Sequence, residues 1–92
     1  MKFGSRGSAD GQFYGPYGVE VDERGMIFVS DDGNNRVEVF NEKGEFVCKF
    51  GSYGSGEGQF ESVRIVGVNL KSGDVFVPDG CGHCIQIFKA QC

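Results

Sequence analysis

The 92-residue sequence has no tryptophan, only two prolines and a single histidine, His83. No serine or aspartate stands near His83 at a spacing that suggests a catalytic triad. No apolar run approaches the roughly 20 residues of a membrane-spanning helix. Residues 1–11 lack the apolar stretch of a secretory signal. These absences predict a soluble, cytoplasmic chain that is not an enzyme and has no membrane partner.

Basic residues are also scarce, with 9 Lys and Arg against 13 Asp and Glu and a formal net charge of −4. A nucleic-acid interface normally shows an excess of basic charge, so nucleic acid is the weaker partner class. Three of the four cysteines lie in the last twelve residues. Disulfide bonds within such a cluster would stabilise a whole fold poorly, so we expect the cysteines to be reduced thiols. A secreted, disulfide-bearing module is the alternative.

Glycine is abundant, at 16 residues, and it marks an internal repeat. Residues 3–13 recur as residues 50–60, 47 positions later, with eight of eleven residues identical. The offset stays at 47 through residues 66–69 and becomes 48 after one extra residue near Ser72. The chain is therefore two copies of one unit.

Each unit is predicted to consist of short strands joined by tight turns, because stretches rich in Val, Ile and Phe are bounded by Gly, Asp and Asn. The turns at residues 22–25 and 41–44 open with an Asx residue and close with glycine, which is typical of hairpins. No stretch carries a 3.6-residue apolar period, so no helix is predicted. The predicted strands lie near residues 18–22, 26–30, 36–41, 45–50, 64–69, 74–78 and 84–89.

Two of these strands are continuously apolar, at residues 26–29 and 75–77. A strand with one wet face would alternate, so both faces of each sheet are expected to be covered. Two units alone cannot cover their own outer faces. Units of about 47 residues with glycine-rich connectors fit small twisted sheets stacked around an axis, as in a β-propeller.

Two segments carry a family resemblance. They are the run 18–46, which begins Gly-Val-Glu-Val-Asp, and the connector Phe-Gly-Ser-x-Gly-x-x-x-Gly-Gln-Phe. The run resembles an NHL repeat, and the connector is similar to those of tripartite-motif (TRIM) proteins. The resemblance implies an all-β fold and, in full-length relatives, a six-bladed propeller with the first strand of each repeat nearest the axis. The TRIM relatives are E3 ubiquitin ligases whose catalysis resides in a RING domain, which is not present in this sequence.

On that plan, repeat one covers about residues 16–50, the interblade connector residues 51–62, and an incomplete repeat two about residues 63–92. Repeat one forms a four-stranded blade, and repeat two lacks its outer strand. Further blades are then required, either from a parent chain of which this is a fragment or from other copies in a ring. A stand-alone open pair of sheets is the third possibility.

The resemblance also implies that the connectors and the turns between second and third strands share one face, which relatives use to hold protein or RNA. Aromatic and arginine side chains are common anchors of interfaces. We expect a protein partner, as for a module that presents substrate to a ubiquitin ligase, with single-stranded RNA as the alternative. Packing of the tyrosines into the seam between blades is the structural alternative. The candidate partner-binding residues are Tyr14, Tyr17, Asn34, Asn35, Arg64 and His83.

No metal or cofactor site is predicted. Cys81, His83 and Cys84 could supply three zinc ligands, but structural zinc sites usually pair two separated knuckles. Residues 31–35 lack the alternating oxygen ligands of an EF-hand. The glycine-rich connectors lead into strands and not into the helix N-terminus of a phosphate-binding loop.

Overall fold

The computed structural model describes residues 1–64, 66–81 and 83–89. Within these residues the fold is all-β except for one turn of 3₁₀ helix at Asp32–Asn34. The strands are β1 (Ser5–Arg6), β2 (Gln12–Phe13), β3 (Pro16–Val21), β4 (Ile27–Asp31), β5 (Arg36–Phe40), β6 (Phe46–Phe50), β7 (Ser52–Tyr53), β8 (Gln59–Phe60), β9 (Gly67–Val68), β10 (Val75–Asp79) and β11 (Cys84–Phe88).

Two antiparallel sheets account for most of the structure. The first has the order β3-β4-β5-β6, and the second has the order β9-β10-β11. Each connector forms a short parallel pair of its own, β1 with β2 and β7 with β8. Small sheets of sequential antiparallel strands are the blades of a partial propeller, which confirms the predicted all-β class.

The predicted hairpin turns are confirmed. Gly25 and Gly44 both have φ of 82°, a backbone conformation that glycine adopts without steric cost. In the first turn, Asp22 Oδ1 accepts the backbone N–H groups of Arg24 (2.9 Å) and Met26 (3.0 Å). The Asx residue therefore closes its own turn, as the sequence pattern indicates.

The hydrophobic core lies between the two sheets. Strand register places Phe28, Val37 and Val39 on one face of the first sheet, and they share a cluster with Val75 and Val77 of the second. We call this contact the seam. Its buried core consists of Phe28, Val37, Val39, Phe60, Val63, Val66, Val75 and Val77.

Each connector folds back over the outer half of the sheet that follows it. In the first repeat the ring of Phe40 lies 4.9 Å from that of Phe3 and 5.5 Å from that of Phe13, measured between centroids. The second repeat reproduces this cluster, so the connectors seal sheet surface that would otherwise contact water. The equivalent centroid distances are 4.6 Å for Phe50–Phe88 and 5.7 Å for Phe60–Phe88.

Some expectations are wrong in detail. The connector strands and the 3₁₀ turn are additional elements, and β9 is shorter than the strand predicted at 64–69, of which residue 65 lies outside the described residues. Coverage of both faces holds for β4, where Phe28 and Val29 are both buried, but not for β10, where Phe76 is exposed. The second sheet is therefore covered on one face only by the described residues.

The expectation of reduced thiols is wrong at Cys48, which takes part in a disulfide bond. Cys81 and Cys84 are free, exposed thiols. The expectation considered separation along the chain, whereas Cys48 lies on the face of β6 that packs against the seam. Folding therefore brings this cysteine close to the second repeat.

Candidate functional site

Residues from both repeats meet at one end of the two sheets. Pro16 at the start of β3 pairs with Asp31 at the end of β4, which pairs with Arg36 at the start of β5. In the second sheet, Val63 bridges to Asp79. We call this the loop end, and it comprises residues 14–17, 31–36, 61–64, 79–81, 83 and 84, together with Arg6, whose guanidinium lies over the Tyr14 ring.

A buried carboxylate organises the loop end of each repeat. Asp31 Oδ1 accepts the backbone N–H groups of Tyr14 (3.1 Å) and Gly15 (2.7 Å). At the equivalent place, Asp79 accepts those of Glu61 (2.8 Å) and Ser62 (3.2 Å). Because a buried carboxylate needs donors, each of these loops is held in one conformation.

A buried ion pair ties the first connector to the first sheet. The Arg36 guanidinium donates to the backbone carbonyls of Ser8 (2.8 Å), Ala9 (2.9 Å) and Gln12 (2.9 Å). Glu38 Oε1 accepts the N–H of Gly11 at 2.9 Å, and its Oε2 lies 3.4 Å from Arg36 Nη2.

Burial raises the pKa of Glu38, although the Gly11 hydrogen bond and the charge of Arg36 oppose that effect. The net direction is upward because Glu38 is fully buried. Its Oε2 atom accepts no hydrogen bond from the described residues.

In the second repeat, an uncharged side chain ties the connector to the sheet. Cys84 and Gln86 stand where the first repeat has Arg36 and Glu38, at the offset of 48. The Gln86 amide oxygen accepts the N–H of Gly58 at 2.7 Å, and its amide nitrogen donates to the carbonyl of Gln59. The neutral amide of Gln86 therefore makes contacts that Glu38 and Arg36 make together in the first repeat. Residue 84 makes no such contact in the described residues and is an exposed cysteine.

Two polar side chains of the first repeat cross the seam at the loop end. Ser30 Oγ donates to the carbonyl of Arg64 at 2.8 Å, and Asp32 Oδ1 accepts the N–H of Val63 at 3.0 Å. These contacts fix the start of the second repeat against the first.

Exposed arginine–tyrosine pairs form the surface of the loop end. The Arg64 guanidinium lies over the Tyr17 ring, 5.6 Å from its centroid, and that of Arg6 lies 5.4 Å from the centroid of Tyr14. All four residues are exposed. Each pair places a positive charge over a flat aromatic surface.

Comparison with known proteins identifies the repeat. The chain is 38% identical over 89 residues to Protein brain tumor of Drosophila melanogaster, which covers 96% of this chain and 9% of that protein. It is 45% identical over 49 residues to Protein lin-41 of Caenorhabditis elegans, covering 53% of this chain and 4% of that protein. These matched segments are NHL-repeat regions. The chain is built from NHL repeats.

A further relative is E3 ubiquitin-protein ligase TRIM71 of Gallus gallus, 48% identical over 46 residues, covering 50% of this chain and 5% of that protein. The NHL repeats thus span less than a tenth of the length of the curated relatives they match. The predicted resemblance to the NHL region of TRIM ubiquitin ligases is confirmed. No protein-family model matches the chain.

The predicted partner-binding residues of the NHL repeats differ in how the structure places them. Tyr17 and Arg64 are brought together across the seam, and Tyr14 is exposed beside Arg6. Asn34 is turned inward, because its amide donates to Asp31 Oδ2 (2.7 Å) and to the carbonyl of Gly7 (2.9 Å).

Asn35 and His83 occupy equivalent turn positions of the two NHL repeats. Both have a left-handed backbone, with φ of 53° and 55°. Asn35 is half-buried, whereas the His83 side chain is exposed. A conformational role therefore accounts for this position in both repeats.

Arg6 is a surface residue that the candidate set left out. The sequence offered one indication of its role: the two connectors are nearly identical, but Arg6 in the first is replaced by Tyr53 at the matching position of the second. Within the described residues, no group of His, Cys, Asp and Glu is arranged to hold a metal ion. The same residues contain no helix long and apolar enough to cross a membrane.

Proposed function

We propose that these NHL repeats are a non-catalytic binding module that holds a partner protein at the loop end and presents it to a ubiquitin ligase of the TRIM kind. The observation that carries the proposal is the pair of exposed arginine–tyrosine stacks, Arg64 on Tyr17 and Arg6 on Tyr14. Arginine and tyrosine are over-represented among residues that dominate protein interfaces.

The surroundings of these pairs favour binding over chemistry. Asp31 and Asp79 are buried and hold backbone N–H groups, so neither carboxylate faces a reacting group. The loop that Asp31 fixes carries Tyr14 and Tyr17, and the loop that Asp79 fixes carries Arg64, so less conformational entropy is lost when a partner binds them. A rigid surface whose carboxylates only hold the backbone suits a recognition module.

Single-stranded RNA is the second candidate, because tyrosine rings and arginine planes also stack on unpaired bases. The net charge of −4 speaks against it, since phosphate contacts draw most of their affinity from basic charge. The arginines of the two stacks, Arg6 and Arg64, provide only a local basic spot.

A selection experiment tests the protein-binding proposal. Peptides selected from a random phage-displayed library on the immobilised chain are measured against the parent chain and against Tyr17→Ala, Arg64→Ala and Lys43→Ala. We expect a loss of about tenfold or more for the first two variants. Lys43 lies exposed in the 41–44 turn at the other end of the sheets, so Lys43→Ala should bind as the parent does.

An RNA measurement separates the two candidates. Filter binding of random single-stranded RNA oligonucleotides is followed over a range of salt concentrations. Saturable, salt-sensitive binding that Arg64→Ala abolishes and Lys43→Ala retains would overturn the protein-partner proposal. Peptide ligands that bind Arg64→Ala as well as the parent would overturn it too.

A further inference from the structure

The turn between β10 and β11 carries two thiols that the proposed binding module does not use. Cys81 and Cys84 are free and exposed, and they stand at the spacing Cys-x-x-Cys. Unpaired cysteines are among the residues most often buried in proteins, because the thiol packs as a small apolar group. Two exposed thiols in one turn gain little from packing, but they are accessible to reagents in solution.

The first repeat uses these two positions differently. At the offset of 48, Gly33 and Arg36 stand in place of the two cysteines. A Cβ at Gly33 would lie 2.6 Å from a tyrosine side chain of the preceding loop, so the first turn has no room for a side chain there. Arg36 is buried and donates to three connector carbonyls. In the second repeat Gln86 ties the connector to the sheet, and both positions present thiols to solvent.

Asp79 positions both cysteines. In the strand register Asp79 pairs with Cys84, and directly opposed residues of antiparallel strands place their side chains on one face, with Cβ atoms about 4.5–5.5 Å apart. The carboxylate of Asp79 also accepts the backbone N–H of Cys81 at 3.1 Å. Asp79 is buried, and it accepts the N–H groups of Glu61 and Ser62 as well. Cys81 is therefore drawn back over the face of the sheet to which Cys84 belongs.

The loop that joins the paired residues is short. Residues 80–83 connect Asp79 to Cys84; residues 80, 81 and 83 are in a turn conformation, and residue 82 lies outside the described residues. His83 has a left-handed backbone with φ of 55°, which turns the chain tightly immediately before Cys84. In tight turns, Cα atoms three positions apart lie within about 7 Å, and disulfides span Cα separations of about 4.4–6.8 Å. The backbone of this turn is therefore compatible with a bond between the two sulfur atoms.

We propose that Cys81 and Cys84 form a dithiol–disulfide site that exchanges with small-molecule disulfides such as oxidised glutathione. The thiolate of one cysteine attacks a sulfur of the small-molecule disulfide, which breaks that S–S bond and releases one thiol carrying the proton that the cysteine lost. The other cysteine then attacks the protein sulfur of the mixed disulfide and releases the second thiol. The turn loses two protons and two electrons, and one disulfide molecule is reduced to two thiols. This chemistry does not depend on a partner protein.

Peptide mapping after incubation in a series of glutathione buffers tests the proposal. Trypsin cleaves after Lys71 and Lys89, so both cysteines fall on the peptide 72–89, and Cys48 falls on another. After free thiols are alkylated, the oxidised peptide should lack two hydrogen atoms and carry no alkyl group. We expect half-oxidation where the squared concentration of reduced glutathione, divided by that of oxidised glutathione, is on the order of millimolar or above. A peptide that takes two alkyl groups in every buffer, or that is joined only to glutathione, overturns the proposal.

A shifted pair of cysteines is the matched control. Cys84→Ser combined with Ile85→Cys keeps two exposed thiols but moves one to the opposite face of β11, because successive side chains of a strand alternate. In the folded chain the shifted pair should form its disulfide at least about tenfold less readily than the parent pair. In urea, where only loop length differs, the two pairs should agree within about threefold. Cooperative melting checks that the variant folds. Equal oxidation of the two pairs in the folded chain overturns the proposal.

A trivalent arsenical gives a second measure of proximity that needs no oxidant. Phenylarsine oxide condenses with two neighbouring thiols and releases water. The folded parent chain should retain one equivalent through gel filtration, bound to the peptide 72–89. Cys81→Ser and the shifted pair should not retain it. A parent chain that binds no arsenical shows that the two sulfur atoms do not approach each other, and it overturns the proposal independently of the glutathione result.

Discussion

Removing Arg36 tests whether the buried ion pair stabilises the first connector as the structure implies. Arg36→Met keeps an unbranched apolar stem but removes the donors to the carbonyls of Ser8, Ala9 and Gln12. It also leaves the Glu38 carboxylate buried without its cation. Breaking a buried pair in this way costs about 3–5 kcal/mol, a large part of the stability of a small domain.

A second substitution separates the lost hydrogen bonds from the stranded charge. Adding Glu38→Gln to Arg36→Met gives the first repeat the neutral amide that Gln86 provides in the second. We expect the double variant to recover about 1–3 kcal/mol relative to Arg36→Met. Glu38→Gln alone should cost less than Arg36→Met, because Arg36 keeps its three carbonyl acceptors.

The pH dependence gives a second readout. Burial raises the pKa of folded Glu38 above its ordinary value of 4.5, so the folded chain binds this proton more tightly than the unfolded chain. The corresponding stability is fully present below pH 4.5 and is lost as pH rises through the folded pKa. Arg36→Met removes a charge that lowers this pKa and should enlarge the loss, whereas Glu38→Gln should abolish it.

Urea unfolding followed by far-ultraviolet circular dichroism measures the whole cycle, since the chain has no tryptophan to serve as a probe. The four chains are compared at neutral pH and at a pH near 4.5, the ordinary pKa of Glu38. The reasoning is refuted if Glu38→Gln recovers no stability in the Arg36→Met background. It is also refuted if the cost of Arg36→Met is the same at both pH values.

Two further predictions concern the second connector and the first hairpin turn. Gly51→Ala and Gly58→Ala both place a side chain at positive φ, which costs about 1 kcal/mol. Only at Gly51 would the new Cβ lie 2.6 Å from the Phe60 ring, so thermal unfolding should show a larger loss of stability for Gly51→Ala. Equal losses would contradict that packing. Burial acts to raise the pKa of Asp22, but hydrogen bonds from Arg24 and Met26 outweigh it and lower the pKa. The stability that this carboxylate contributes above pH 3.8 is therefore lost as pH falls through the folded pKa. Asp22→Asn should cost about 1–2 kcal/mol in urea unfolding at neutral pH and should remove this acid-dependent loss.

Local chemistry made much of the fold readable from the sequence. The turns that end at Gly25 and Gly44 follow from an Asx residue and a glycine at fixed spacing, and the structure has both. The short pairs β1–β2 and β7–β8 were not predicted, because two-residue parallel strands carry no periodic side-chain pattern. They form where the glycine-rich connectors fold over the sheets, which is a tertiary effect.

The candidate surface was readable to a smaller extent. Tyr17 and Arg64 stood at matching repeat positions, but only the stacking of the two repeats shows that they contact each other across the seam. Asn34 could not be separated from them by residue type, although its amide is used inside its own turn. Composition and spacing therefore placed the candidate residues at one end of the sheets, without showing which of their side chains are exposed there.

Differences between the repeats carry more information about assembly than their identities do. Matching apolar positions predict only that some sheet covers each outer face, and any NHL repeat would satisfy them. The replacement of Asp32 by Gly80 removes an acceptor, and the presence of Pro16 where repeat two has Val63 removes a donor. Either change alone would leave a polar group unmatched at a seam, but together they leave none. The Asp32–Val63 hydrogen bond of the seam therefore has no counterpart on the outer face of either described sheet.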